Sequence, residues 1–596
     1  MDFGYTRGSG LLDKKYREFF IPTVLTAMAL SMSMSVDGII VGNLLGSSAL
    51  AAVNLVLPVV LFYNIFAVLL GMGPATVIAI AKGRREHAYA DDVFTVSWAL
   101  LLTVGLAIMA LQIAFLEEIS RLITTDAVLL PLVRELLQIL VYGSPLMILC
   151  LGSVFCLRTD GKANLASAVL VTANMINLAM DLVYIGVFGM GVGGAALATV
   201  TGYTVGLVTL LFYVFAKDRT LHMKPALLSR PSAALKCAQR IFVSGAPGAL
   251  TAVLVPARLL CVNTIVLAVA GSSGMVALAV CSGCLSLLIM FTYGAAQTMT
   301  PIVGALYGEK DFTGIRFVVK RSFQLLVSAA VIITLLLELL PENILVLFGV
   351  KDAADLEVGI PAIRIFALSL IARSLNFLML YFYMSTEKRK IANAISVVEG
   401  FAVVVPAGFV LGHLFGIKGV WFAFVLAEVV TLAMIAVYYL YEKGRSAGRY
   451  QDILLLDSSG ATDSKTLDLT IRSNIEDAVG LSEKTIRFLG EGGVEAGLCN
   501  KMGMVIEEMA VNIATYAHKR GGDRYYIDIR IKLMKEEFIV ILRDDGEWFD
   551  PTKYLENERK ETAYMIGGIE LVGALASKVE YSRVLGLNNT AITIQR

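Results

Sequence analysis

Residues 19–41 read FFIPTVLTAMALSMSMSVDGIIV, an apolar run broken by one ionisable side chain, Asp37. A helix rises about 1.5 Å per residue, so about 20 apolar residues cross the roughly 30 Å hydrocarbon core of a bilayer. Backbone amides find no water there, and a single span satisfies them as a helix. Eleven further stretches qualify, near 52–77, 94–116, 130–157, 164–187, 192–216, 240–269, 275–299, 321–342, 358–384, 390–413 and 417–441. The chain has 596 residues, 57% of them hydrophobic and 17% charged, with mean hydropathy +0.74. A soluble protein carries about 25% charged residues, so the composition is that of a membrane protein. A net charge of +1 gives no basic surface for nucleic acid. Four histidines and seven cysteines are too few and too scattered for a metal cluster. The Cys281-Cys284 pair reads as small apolar residues on a span. The polar N-terminus, residues 1–18, leads straight into the first span without a cleavable signal.

Basic residues fall in alternate loops. One set holds Lys82, Arg84 and Arg85, then Arg158 and Lys162, then Lys217 through Arg240, then Lys310 through Arg321, then Lys388, Arg389 and Lys390. Loops 42–51, 186–191 and 270–274 hold none. The basic set is therefore cytoplasmic. An even number of spans puts both termini there, and the expected location is a bacterial inner membrane. The two halves repeat. Gly46-Ser47-Ser48 returns as Gly271-Ser272-Ser273, Lys82-Gly83-Arg84-Arg85 as Tyr307-Gly308-Glu309-Lys310, and Gly191-Val192 as Gly419-Val420. These shifts predict two six-span lobes, 19–216 and 240–445, joined by a cytoplasmic linker at 217–239. Parallel repeats of this kind enclose a central cavity.

Ionisable groups inside spans are costly and usually functional. Asp37 lies in the first span. Asn177 and Asp181 lie in the fifth, four residues apart and so on one helix face. Thr199, in the sixth, supplies a hydroxyl oxygen. Two carboxylates, an amide and a hydroxyl suit a proton or a hard cation. The second half holds Arg258, Arg364, Arg373, Glu399 and Glu428, with Asn263 at the position matching Asp37.

Residues 446–463 read as a linker, and 464–596 as a separate α+β sandwich. Leu467–Ile471, Tyr526–Ile531 and Glu537–Leu542 alternate like strands, and 474–490 and 496–518 look helical. Three clusters carry chemistry. Glu508 and Asn512 share a helix face, a candidate general base and a candidate Mg²⁺ ligand. Asp544 and Gly546 follow a strand, where a buried carboxylate can accept from an adenine amino group. Gly567 and Gly568 open a helix, as phosphate sites do. Asn589 and Thr590 sit on a final strand.

Residues 15–445 resemble the MATE multidrug and toxin extrusion transporters. The likeness is carried by Val36-Asp37-Gly38-Ile39-Ile40-Val41-Gly42, Leu157-Arg158-Thr159-Asp160-Gly161-Lys162 and Gly191-Val192-Gly193-Gly194-Ala195-Ala196-Leu197-Ala198-Thr199. It implies twelve spans and export coupled to H⁺ or Na⁺ through Asp37, Asn177, Asp181 and Thr199. Members with an acid in span seven have no match here, since that span offers Arg258. Residues 464–596 resemble the histidine-kinase-like (GHKL) ATPase fold, most closely the anti-sigma-factor serine kinases. That likeness implies Mg·ATP bound by Asn512, Asp544, Gly546, Gly567, Gly568 and Thr590, with Glu508 as base. Trp548 replaces a usual glycine, and the glycine-rich lid is reduced to Gly567-Gly568. The implied protein exports small cationic or amphipathic molecules, contacts membrane lipid, and is regulated by its ATP-binding domain. Two alternatives are a membrane sensor whose kinase-like domain engages a cytoplasmic signalling protein, and a flippase for lipid-linked precursors. The C-terminal residues suit an ATPase, a serine kinase or a simple binder.

Overall fold

Gly46 adopts φ 86° and ψ −179°, and Gly271 adopts φ 59° and ψ −146°. Only glycine takes such backbone angles without strain. In the computed structural model, which describes residues 10–216, 219–227, 229–446, 449–450, 452–457, 465–516, 525–553 and 572–596, both mark breaks between spans. Gly46 separates α1 (Gly10–Leu45) from α2 (Ser47–Gly83). Gly271 kinks α8 (Pro231–Gly308), whose 78 residues are far too long for one crossing. Eleven helices among the described residues are long and apolar enough to span, and the kink divides α8 into two, giving twelve.

The repeat is written in the backbone. α3 (His87–Ala114) and α4 (Leu116–Ile123) return 225 residues later as α9 (Phe312–Leu339) and α10 (Pro341–Leu347). Arg85 and Lys310, also 225 apart, both hold left-handed φ, 64° and 57°. α5 (Leu129–Thr159) and α6 (Ala163–Asp181) correspond to α11 (Ala353–Ser385) and α12 (Arg389–Val397). α7 (Gly191–Phe215) corresponds to the last span, α14 (Ile417–Arg445), which follows α13 (Val404–Phe415). Here the structure departs from the sequence alignment. Gly191 (φ 59°) pairs with Gly416 (φ 65°), at the common offset, and not with Gly419. The same offset puts Val262, not Asn263, opposite Asp37.

Each half builds its own core. The first gathers Tyr63, Leu70, Leu101, Met147 and Tyr213; the second gathers Val266, Phe366, Leu370 and Trp421. They meet where α2 lies against α8. A Cβ on Gly83 would stand 2.0 Å from the Ala305 carbonyl oxygen, and one on Gly308 would stand 2.3 Å from that of Ile80. These two glycines, repeat mates, touch one another.

The membrane unit spans Glu18–Tyr441, and the second compact unit comprises Glu442–Arg596 with the described N-terminal residues up to Arg17. The second unit has five antiparallel strands in the order β1-β2-β3-β5-β4: β1 (Lys465–Arg472), β2 (Tyr526–Leu533), β3 (Glu537–Asp544), β4 (Lys578–Val584) and β5 (Leu587–Gln595). Alternation works as expected on β1, which buries Leu467, Leu469 and Ile471. Three helices pack on the sheet: α15 (Ile475–Val479), α16 (Leu481–Glu491) and α17 (Ala496–Tyr516). α17 contributes Met502, Val505, Ile506 and Met509 to the core. Asn474 caps α15 by accepting from the Asp477 amide at 2.7 Å.

Candidate functional site

Asp181 ends α6 and is fully buried. Beyond it the helix widens into a π-helical turn, Leu182–Val187. Such turns are rare and favour functional sites. The Asp181 carboxyl interacts directly with that of Asp37 on α1. Apart from that carboxyl, neither Asp181 oxygen finds a well-aligned hydrogen-bond donor among the described residues. Two carboxyls facing each other in an apolar setting need a shared proton or a cation between them. Asn177, one turn earlier, donates to the Thr199 hydroxyl at 3.4 Å, and Thr199 donates to the Ala195 carbonyl at 3.1 Å. The two helices lie close because Gly202 sits flat on α6: a Cβ there would stand 2.3 Å from the Ala173 carbonyl oxygen. The structure thus pairs Asp37 with Asp181 and Asn177 with Thr199, all in the first half.

In the second half Glu399 sits within another π-helical turn, Val398–Ala402. Arg373 reaches it at 4.0 Å but pairs more closely with Glu428, at 3.3 Å. Arg258 donates to the Glu399 backbone carbonyl at 3.1 Å.

A third cluster escaped the sequence reading. Lys82, counted there as a loop cation, is 1% exposed and paired with Asp160. Thr220 bonds the same carboxylate, and the Tyr213 hydroxyl donates to it at 2.8 Å. Arg158 donates to Gln297 across the two halves at 2.8 Å. The motif around Asp160 was visible; the partners, far off in sequence, were not.

In the C-terminal unit, Asp544 closes β3 and is 5% exposed. The β3–β5 register sets Asn588 beside it. The Asp544 Oδ1 atom accepts from the Gly546 amide and from Asn588 Nδ2, both at 2.9 Å. Asn588 is itself oriented by the Tyr581 hydroxyl at 2.7 Å. Burial pushes the Asp544 pKa up to about 6. Neither Asn588 nor Tyr581 was singled out in the sequence, because an Asn on a strand carries no distinctive spacing. Thr590 lies on β5 opposite Leu542. Glu508 and Asn512 are both half-buried on α17, and the Asn512 amide nitrogen is enclosed without a partner among the described residues. Within this unit Lys14 pairs with Asp545, next to Asp544, and lies 4.4 Å over the Tyr525 ring. Gly567 and Gly568 lie outside the described residues. No group of three or more metal-ligating side chains occurs among the described residues.

The MatE family profile matches residues 22–183 and again 247–410, together more than half of the chain. The histidine kinase-like ATPase domain profile matches residues 471–595. Among curated relatives, the multidrug export protein MepA of Staphylococcus haemolyticus is 24% identical over 72% of this chain and 93% of its own length. The probable multidrug resistance protein YoeA of Bacillus subtilis is 23% identical over 71% of this chain and 92% of its own. A solved MOP superfamily transporter from Pyrococcus furiosus superposes with a TM-score of 0.67 at 22% identity, covering 75% of this chain and all of that one. At that identity the likeness speaks for the fold. The chain belongs to the MatE family of multidrug and toxin extrusion transporters, and it carries a histidine kinase-like ATPase domain at its C-terminus.

Proposed function

We propose that the protein exports small amphipathic molecules in exchange for H⁺ or Na⁺, with the ion held at Asp37 and Asp181. The observation that carries this reading is the carboxyl pair itself: Asp37 facing Asp181, whose oxygens meet no other well-aligned donor among the described residues. Unlike charges or a shared proton must fill that role. Asn177, one turn earlier on α6, and Thr199, on α7, add neutral oxygens. The basic loops support a bacterial inner-membrane orientation with both termini in the cytoplasm. The relatives' printed names support drug-like substrates. The test is uptake into proteoliposomes under an imposed pH or Na⁺ gradient. Asp37→Asn is expected to abolish gradient-driven transport in a folded protein. Wild-type rates in that variant would remove the pair from the mechanism.

The C-terminal domain, on this reading, binds Mg·ATP and regulates transport. The residues present fit the nucleotide. Asp544 commits Oδ1 to Gly546 and Asn588, which leaves Oδ2 for an adenine amino group. Gly546 lets the base approach the backbone. The unpartnered Asn512 amide suits a Mg²⁺ ligand, since its two ends interchange by rotation. Glu508 stands one turn away to orient water or accept a proton, and Thr590 lines the strand behind. A bound nucleotide supplies a polyphosphate whose presence or loss shifts the transporter between states.

A further inference from the structure

A cavity of about 360 Å³ lies against the second half of the membrane unit, with α2 closing one side. That volume is at the small end for ligand sites. Its wall is mostly apolar, with Leu61, Val68, Leu285 and Phe377. Two charged side chains reach it, Arg373 and Glu399.

Their mutual contact is loose, at 4.0 Å. The cause is competition from Glu428. One Glu428 oxygen pairs with Arg373 at 3.3 Å, and the other accepts from Asn376 at 2.7 Å. Glu428 is satisfied at both oxygens and holds the guanidinium in place. Arg258 donates its hydrogen bond to the Glu399 backbone carbonyl, not to the carboxylate. A guanidinium has five N–H donors and a carboxylate about four acceptor sites. Both groups therefore keep capacity toward the cavity.

The cluster is balanced, two arginines against two glutamates. A ligand with only a cationic group would pair with Glu399 but set its charge beside Arg373. A ligand with only an anionic group would do the reverse. Against a mostly apolar wall an unmatched charge is expensive. A ligand carrying both groups replaces one long contact with two close ion pairs and adds no net charge.

We propose that this cavity binds zwitterions: apolar-bodied molecules whose ammonium group pairs with Glu399 and whose carboxylate pairs with Arg373. The proposal rests on the reading of the protein as a small-molecule exporter and names its substrate class.

The test uses the full-length protein in lipid nanodiscs at neutral pH, with no ion gradient and no nucleotide. Three fluorescent probes share one skeleton: Nα-dansyl-lysine, a zwitterion; its methyl ester, a cation; and its Nε-acetyl derivative, an anion. The zwitterion is expected to bind about tenfold tighter than either relative. Glu399→Gln should erase its advantage over the acetylated anion, while Arg373, Glu428 and Asn376 keep their bonds. Equal binding of the three probes, tighter binding of the ester, or no binding of any would overturn the proposal. So would an unchanged preference in Glu399→Gln. The wild-type comparison stands even if that variant does not fold. A protein that shows the preference yet lacks gradient-driven uptake would fail on coupling alone.

Discussion

Asp544 is a carboxylate asked to stay charged in a place that resists charge. Burial lifts its pKa to about 6 from 3.8. Between those values the folded domain holds a proton that the unfolded chain has released. Its contribution to stability is complete below 3.8 and is lost as pH rises through about 6. Adenine recognition runs the other way, because the amino group needs an ionised acceptor. Adenosine binding by the full-length protein should weaken as pH falls below about 6; adenosine avoids titrating the phosphates. Asp544→Asn should flatten that profile and cost about 1–3 kcal/mol of nucleotide affinity, measured by calorimetry. A pH-independent affinity in the wild type would separate Asp544 from the base. Asn588→Ala should act through the same carboxylate, loosening Asp544 and reducing affinity by a smaller factor. The first of these residues was legible as an Asp-x-Gly after a strand. The second was not, because its role comes from register across the sheet.

Helices and strands differ in how much of them the sequence discloses. Apolar length reveals the spans, and period-two alternation reveals β1 to β3. The shape of a span is harder. The π-helical turns beside Asp181 and around Glu399 have no composition of their own. They arise where packing asks a helix to absorb an extra residue. The fit of α6 on α7 hangs on Gly202, which has no room for a methyl group. Gly202→Ala should push the helices apart and separate Asn177 from Thr199. The expected cost is about 1–3 kcal/mol in stability, as for overpacked cores. Uptake assays should show a weaker apparent affinity for the driving ion, with the C-terminal domain's nucleotide binding unchanged. Unaltered ion dependence would place the Asn177–Thr199 pair outside the ion site.

Taken together, the two halves of the membrane unit are one design used twice and then specialised. The first keeps a carboxyl pair, the second an arginine–glutamate cluster. Lys82 and Asp160 form a buried pair in the first half, satisfied by Thr220 and Tyr213. Lys82→Met should leave Asp160 uncompensated and cost about 3–5 kcal/mol, seen as a lowered melting temperature in detergent. A melting temperature equal to wild type would mean that water reaches Asp160. Nucleotide should modulate transport and not drive it. No G-x-x-x-x-G-K-[ST] phosphate loop occurs in the chain, and the ATPase domain matches once. Uptake under an ion gradient should persist without ATP and change about five- to a hundredfold with it. ATP-driven uptake with no gradient would reverse that assignment.

The contact between Gly83 and Gly308 has a historical reading. Each lies on the other, and each occupies the same place in its own half. That reciprocity is the mark of an isologous interface between identical subunits. A single six-helix ancestor, dimerising about a two-fold axis, would have met itself at this glycine. Gene duplication and fusion would then have freed the copies to diverge. The covalent join is dispensable on this view: halves cut at 229–230, past Thr220 and its bonds to Asp160, and expressed as separate polypeptides should reassemble.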